Sequence, residues 1–196
     1  MSIQAYRKIK ELVRKNTPLV EGMHALLDLC QELHPSPRWR KLYHLKFEDD
    51  LLNLAFWLEA LLTHEPPPKS VTGFWFGLFN PILEDGAPTS CLYLAGSERF
   101  DAEWETSDWA CSPAYWPKVR YSDSVIITEI YRTATKRGSG IGALGEYTLC
   151  LGFAALVVAA FCRSPLRDLL LGKAPFREAA VGFDSGDEVL IDVLRK

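Results

Sequence analysis

The sequence predicts an α+β fold, with helices through the N-terminal third and a mainly antiparallel sheet of four or five strands ending in a C-terminal hairpin. Three observations predict it. Ile3, Tyr6, Ile9, Leu12 and Val13 recur at helical spacing among Arg7, Lys8, Lys10, Arg14 and Lys15, the pattern of an amphipathic helix. The runs 71–79 and 91–95 are rich in aromatic and branched residues and read as a pair of strands. Near the end, 178–183 and 188–194 flank Asp184-Ser185-Gly186-Asp187, a turn whose glycine can take positive φ. The 196 residues fit one domain, 1–196, with one long loop at about 97–122.

The elements follow in order. After the first helix, Thr17-Pro18 restarts a helix with Thr17 as cap, and His34-Pro35-Ser36-Pro37 stops it. Tyr43, Leu45 and Phe47 alternate with His44 and Lys46, which suggests a short strand. Asp49 and Asp50 precede an apolar helix over 51–62, where acids suit the positive end of the helix dipole. Glu65-Pro66-Pro67-Pro68 ends that helix and stiffens the connection to the first strand, which is expected to be buried on both faces. No period holds from Ser97 to Ser122, yet Phe100, Trp104, Trp109, Tyr115, Trp116 and Tyr121 argue against disorder. A helix is expected over 124–135, capped by Ser122 or Asp123, then a glycine loop and an apolar helix over 146–162 packed on the sheet. Val189, Ile191 and Val193 are expected to share one core-facing side of the last strand.

Several chemistries find no support. Cys30, Cys91, Cys111, Cys150 and Cys162 are odd in number and include no CxxC pair, so neither a disulfide framework nor a zinc ribbon is expected. His24/Asp28 and Cys30/His34 are i,i+4 pairs, but about 600° of helical turn separates them, so no metal is expected. Gly140, Gly142 and Gly145 fit GxGxxG without the apolar strand a dinucleotide site needs before it. No GxSxG elbow occurs. The N-terminus lacks the apolar stretch of a signal peptide, and the uncharged run 147–162 falls short of the roughly 20 residues of a membrane span. A cytoplasmic protein without cofactor, membrane or nucleic-acid partner is the expectation, since the net charge is −3.

Charge is distributed unevenly. Residues 1–46 carry net +5, residues 47–130 net −10 and residues 131–196 net +2. The acids are densest at Glu98, Asp101, Glu103, Glu105 and Asp108, interleaved with Phe100, Trp104 and Trp109. Carboxylates steer a cationic protein toward a surface and tryptophans anchor it there. Asp101, Glu103, Trp104, Glu105 and Asp108 are therefore the candidate partner-binding residues.

Three stretches carry a resemblance: Phe76-Gly77-Leu78-Phe79; Asp108-Trp109-Ala110-Cys111 through Tyr115-Trp116-Pro117 to Arg120-Tyr121; and Val181-Gly182-Phe183-Asp184-Ser185-Gly186-Asp187. In these the chain resembles small bacterial α+β proteins of the immunity type, which accompany polymorphic toxins. The resemblance implies a cytosolic protein that binds one cognate protein, and it transfers no site. The expected function is a non-catalytic inhibitor that neutralises a cationic toxin. Two rival readings are a small enzyme, with His44, His64, Asp101 and Cys111 drawn together, and an adaptor using the basic N-terminal helix.

Overall fold

The computed structural model describes residues 2–81, 89–100, 107–136, 141–184 and 188–196, with the backbone alone for Ser107 and Asp108. Four helices come first: α1 (Ile3–Arg14), α2 (Leu19–Leu33), the single turn α3 (Trp39–Leu42) and α4 (Phe47–His64). Strands β1 (Gly73–Phe79), β2 (Cys91–Ser97) and the short β3 (Tyr121–Asp123) lead to α5 (Val125–Thr135). A helix then begins as α6 (Gly142–Gly145), widens to a π segment (Glu146–Cys150) and continues as α7 (Leu151–Arg163). Helix α8 (Leu166–Leu171) and the hairpin β4 (Phe176–Phe183) and β5 (Glu188–Arg195) end the chain.

The five strands form one mixed sheet in the order β3-β2-β1-β4-β5. Three of its four pairings are antiparallel, as expected, and β1 runs parallel to β4 with Phe76 opposite Val181. β1 is buried on both faces except at Phe79, because α7 covers one side and the segment after β2 covers the other. On the helical side Phe74, Phe76, Leu92, Leu94, Val181 and Val189 meet the apolar faces of α1, α2 and α7. Gly152 of α7 lets α2 approach closely, since a Cβ there would overlap Leu26. The helix Gly142–Arg163, at 22 residues, is long and apolar enough to cross a membrane, but 78% of its most apolar window is buried inside the fold. That burial makes it the core helix of an α+β protein.

Five expectations need correction. Tyr43 to Phe47 is not a strand. Phe47 already opens α4, and Tyr43 faces α2, where its hydroxyl donates to Asp28 at 2.6 Å. Three alternating apolar residues served a helix-to-helix connection as well as a strand would. Helix α2 starts at Leu19 with Pro18, not Thr17, as its cap residue. The stretch after β2 holds a 3₁₀ turn (Ser107–Ala110) and β3, which pairs with β2 at Tyr93–Tyr121. Ser124, rather than Ser122 or Asp123, caps α5, its hydroxyl accepting from Ile127 N at 3.0 Å. Finally, β5 carries a bulge opposite Ala179/Ala180. The extra residue breaks the alternation, so Val189 and Leu194 are buried while Ile191 and Val193 are only half-buried. The turn residues 185–187, and the expected turn at 84–88, lie outside the described residues.

Candidate protein-docking surface

Of the predicted interface, Asp101, Glu103, Trp104 and Glu105 lie outside the described residues, and Asp108 is described in its backbone only, in the 3₁₀ turn. Their aromatic neighbours divide into two groups. Phe100 and Trp109 lie on the outer face of the sheet, over Gly73 and against Trp75, with Trp75 and Trp109 ring centroids 5.9 Å apart. Tyr115 is buried, bridging Gly96 and donating through its hydroxyl to Glu65 O at 2.5 Å. These aromatics do core work. Trp116 and Tyr121 instead remain 46% and 42% exposed.

The three stretches that carry the resemblance meet around Tyr93. Gly77 has no side chain because the Tyr93 ring occupies the space above it, and a Cβ there would overlap that ring. The Trp75 indole N–H donates to the Tyr93 hydroxyl at 3.1 Å, and that hydroxyl donates to Asp184 Oδ1 at 2.6 Å. Burial, reinforced by Asp184, pushes the Tyr93 phenol well above its ordinary pKa, so it stays a donor at neutral pH. Trp116 and Tyr121 each lie 5.7 Å from Tyr93 between ring centroids, and Phe79 lies 5.8 Å from Tyr121. The Arg120 guanidinium stacks over Trp116 at 4.2 Å and over Tyr121 at 4.7 Å. Partly exposed Trp, Tyr and Arg in contact are the residue types that carry binding energy at protein interfaces.

Helix α4 borders this aromatic edge and is fastened to it at both ends. Near its start, Asp50 is buried and reaches away from its own helix to the N-terminus of α5. Its Oδ2 accepts from Ser124 Oγ at 2.6 Å and from Ile126 N at 3.2 Å, and its Oδ1 accepts from Val125 N at 3.2 Å. At the other end, the Glu65 carboxylate accepts from Lys118 N at 3.1 Å on each oxygen. Between them the Trp57 indole donates to Val119 O at 3.2 Å. The Pro67-Pro68 segment after α4 is held by Arg177, 0% exposed, whose NH2 donates to Pro68 O at 2.8 Å and Pro67 O at 3.2 Å while NH1 donates to Leu170 O at 2.7 Å. Burial pushes the Arg177 pKa down to about 10, which leaves the guanidinium charged at neutral pH.

Among the described residues eleven large apolar side chains are exposed. Five of them lie along this edge, Phe79 at the end of β1 and Trp116, Val119, Tyr121 and Val125, while Leu52 and Phe56 stand on the outer side of α4, about 100–160° round the helix from Asp50 and Trp57, which face the edge. Monomeric proteins scatter such residues singly, and a gathered patch marks an interaction site.

The rival readings draw less from the geometry. His44 and His64 are exposed, His64 donating to the carbonyl of Ala60 in its own helix at 2.7 Å, and Cys111 is exposed after the 3₁₀ turn. A cleft of about 420 Å³ between α2 and α3 is lined by Gln31, Pro35, Ser36, Pro37, Trp39, Arg40 and Tyr43, without histidine, thiol or carboxylate. His24 and Asp28, the predicted i,i+4 pair, both bind Tyr43. Sequence reasoning missed the α4 surface altogether. The usable signal was that Glu48, Asp49 and Glu59 fall on the same helical arc as Leu52 and Phe56.

Comparison with protein-family models, with curated proteins and with solved structures finds no match for this chain.

Proposed function

We propose that this protein is a non-catalytic, cytoplasmic inhibitor of the immunity type, which binds and neutralises a cationic cognate toxin. The observation that carries the reading is that, among the described residues, five of the eleven exposed large apolar side chains lie along the β3 edge beside Arg120, with Leu52 and Phe56 exposed on the outer side of the adjoining α4. This edge is rigid before binding, because Asp50, Trp57 and Glu65 tie α4 to the 118–126 segment. A surface fixed in advance loses little conformational entropy on association. The acidic balance of residues 47–130 supports a basic partner. Asp101, Glu103, Trp104, Glu105 and Asp108 remain proposed contacts of the same partner, the acids acting mainly on the rate of encounter.

The experiment is co-expression. The candidate partner is any toxin domain encoded by a neighbouring gene: it should arrest growth when expressed alone, and this protein should restore growth while forming a stable complex with it on size exclusion. A toxin that remains lethal, with no complex formed, contradicts the reading.

A further inference from the structure

We infer that the outer ridge of α4 is the element that seats in the partner, and that the receiving site is an apolar groove rimmed by lysine and arginine. This rests on the protein-binding reading above and says which element makes the contact.

At 100° per residue, the exposed residues of α4 all fall in one arc of about 160°. Leu52 and Phe56 stand near the middle of that arc at i,i+4, 58% and 68% exposed. Glu48 and Asp49 precede them by one turn, and Glu59 follows by one turn, all three exposed. The ridge thus reads acid, leucine, phenylalanine, acid over about 17 Å of helix. The opposite side of α4 is satisfied, with Leu54, Leu58, Leu61 and Leu62 buried, so the exposed pair is not needed to hold the helix down.

The charges choose the occupant. Helix α4 carries four acids and no lysine or arginine, and the only one of the four that is buried, Asp50, is already committed to α5. Of the remaining three, Asp49 lies 3.8 Å from Lys46 Nζ in an exposed ion pair, and, among the described residues, Glu48 and Glu59 stand free at either end of the apolar pair. A second copy of this chain docking ridge to ridge would bring those carboxylates against each other, which costs several kcal/mol. A partner with basic residues at the rim of an apolar groove meets both the ring of acids and the two anchors. This is helix-in-groove recognition, with anchors one turn apart.

The test measures association and dissociation rates of the whole 196-residue chain with the toxin domain that it neutralises in co-expression. Phe56→Ala should speed dissociation, raising Kd about 30-fold as loss of a central anchor does. Leu52→Ala should act in the same direction. Glu48→Lys combined with Glu59→Lys should slow association and flatten its dependence on salt. Ile3→Ala, an exposed apolar residue on α1, should change neither rate. Phe56→Gln serves if the alanine variant melts early. Unchanged rates in folded variants would move the contact off α4 while leaving the protein-binding reading intact. A wild-type dimer in sedimentation that Phe56→Gln dissolves would give the ridge to a second copy and overturn the cationic groove. Absence of any binding by the wild-type chain would remove both the reading and this inference.

Discussion

Replacing Asp50 tests how the docking edge is held. Its carboxylate accepts three hydrogen bonds, from Ser124 Oγ at 2.6 Å and from Val125 N and Ile126 N at 3.2 Å each. Two of those donors are the first amides of α5, which have no partner within their own helix. In Asp50→Ala the Ser124 hydroxyl still caps Ile127 N, but the two amides lose their acceptor. Leaving a donor unsatisfied costs about 1–3 kcal/mol for a buried group, so Ile126 N dominates and the half-buried Val125 N contributes less. Removing the negative charge from the helix N-terminus adds about 0.3–1 kcal/mol. The expected total is about 3–4 kcal/mol. Asp50→Asn keeps one acceptor oxygen and the shape of the side chain, and should cost about 1.5–2.5 kcal/mol by the same reckoning. Urea denaturation reads both values, with the slope unchanged if the denatured state is unaffected. Amide exchange should quicken first at 125–126. If Asp50→Ala costs under 1 kcal/mol, the α5 terminus is satisfied in some other way and Asp50 does not join α4 to the edge.

Three further outcomes are expected. Arg177→Met removes a buried charge, which is favourable, but takes the side-chain donor from the carbonyls of Pro67, Pro68 and Leu170, of which Pro68 keeps the Val71 N–H; the second effect should win and cost about 2–4 kcal/mol in urea denaturation, and a variant as stable as the wild type would show that desolvation dominates. Gly77→Ala should cost about 1–3 kcal/mol because the Tyr93 ring must leave its place; the tyrosine absorbance or fluorescence should change with it, and unchanged stability would mean that the ring has room to move. Burial pushes the Glu188 carboxyl up, the Trp109 indole beside it pulling only partly back. A raised acid favours the fold while protonated, below the ordinary glutamate range near about 4.3, and loses that share as pH rises through its folded value. Glu188→Gln should therefore raise the melting temperature at pH 8 more than at pH 4, and equal shifts at both would refute the assignment.

The elements with strong local periodicity were legible. The apolar spacing of α1, the continuous apolar runs of β1 and α7 and the hairpin at Asp184 each carry their own signal within about ten residues. What the chain does over long distances was not. The three residues of β3 are too few to show alternation, and the parallel pairing of β1 with β4 joins segments a hundred residues apart. The bulge in β5 moved Val193 off the expected face and left Ile191 only half-buried at the core's margin, without any glycine or proline to mark it. Asp50 looked like an acid for its own helix, because the first turn of any helix attracts acids; its target, α5, lies 75 residues downstream. Leu52 and Phe56 lay unremarked within the apolar run 51–62. Apolar residues in an apolar helix are buried only if another element arrives to cover them, and here the inner face of α4 alone is covered.

Hydroxyl-radical footprinting of the protein, alone and in complex with a toxin domain that it neutralises in co-expression, tests the docking surface most directly, because it reads side-chain exposure residue by residue. Phe56, Trp116 and Tyr121 start 68%, 46% and 42% exposed and should become protected on binding. Phe176, 42% exposed at the start of β4, should react equally in both states. Protection of Phe176 with Phe56 and Trp116 left open would place the partner elsewhere and contradict the account.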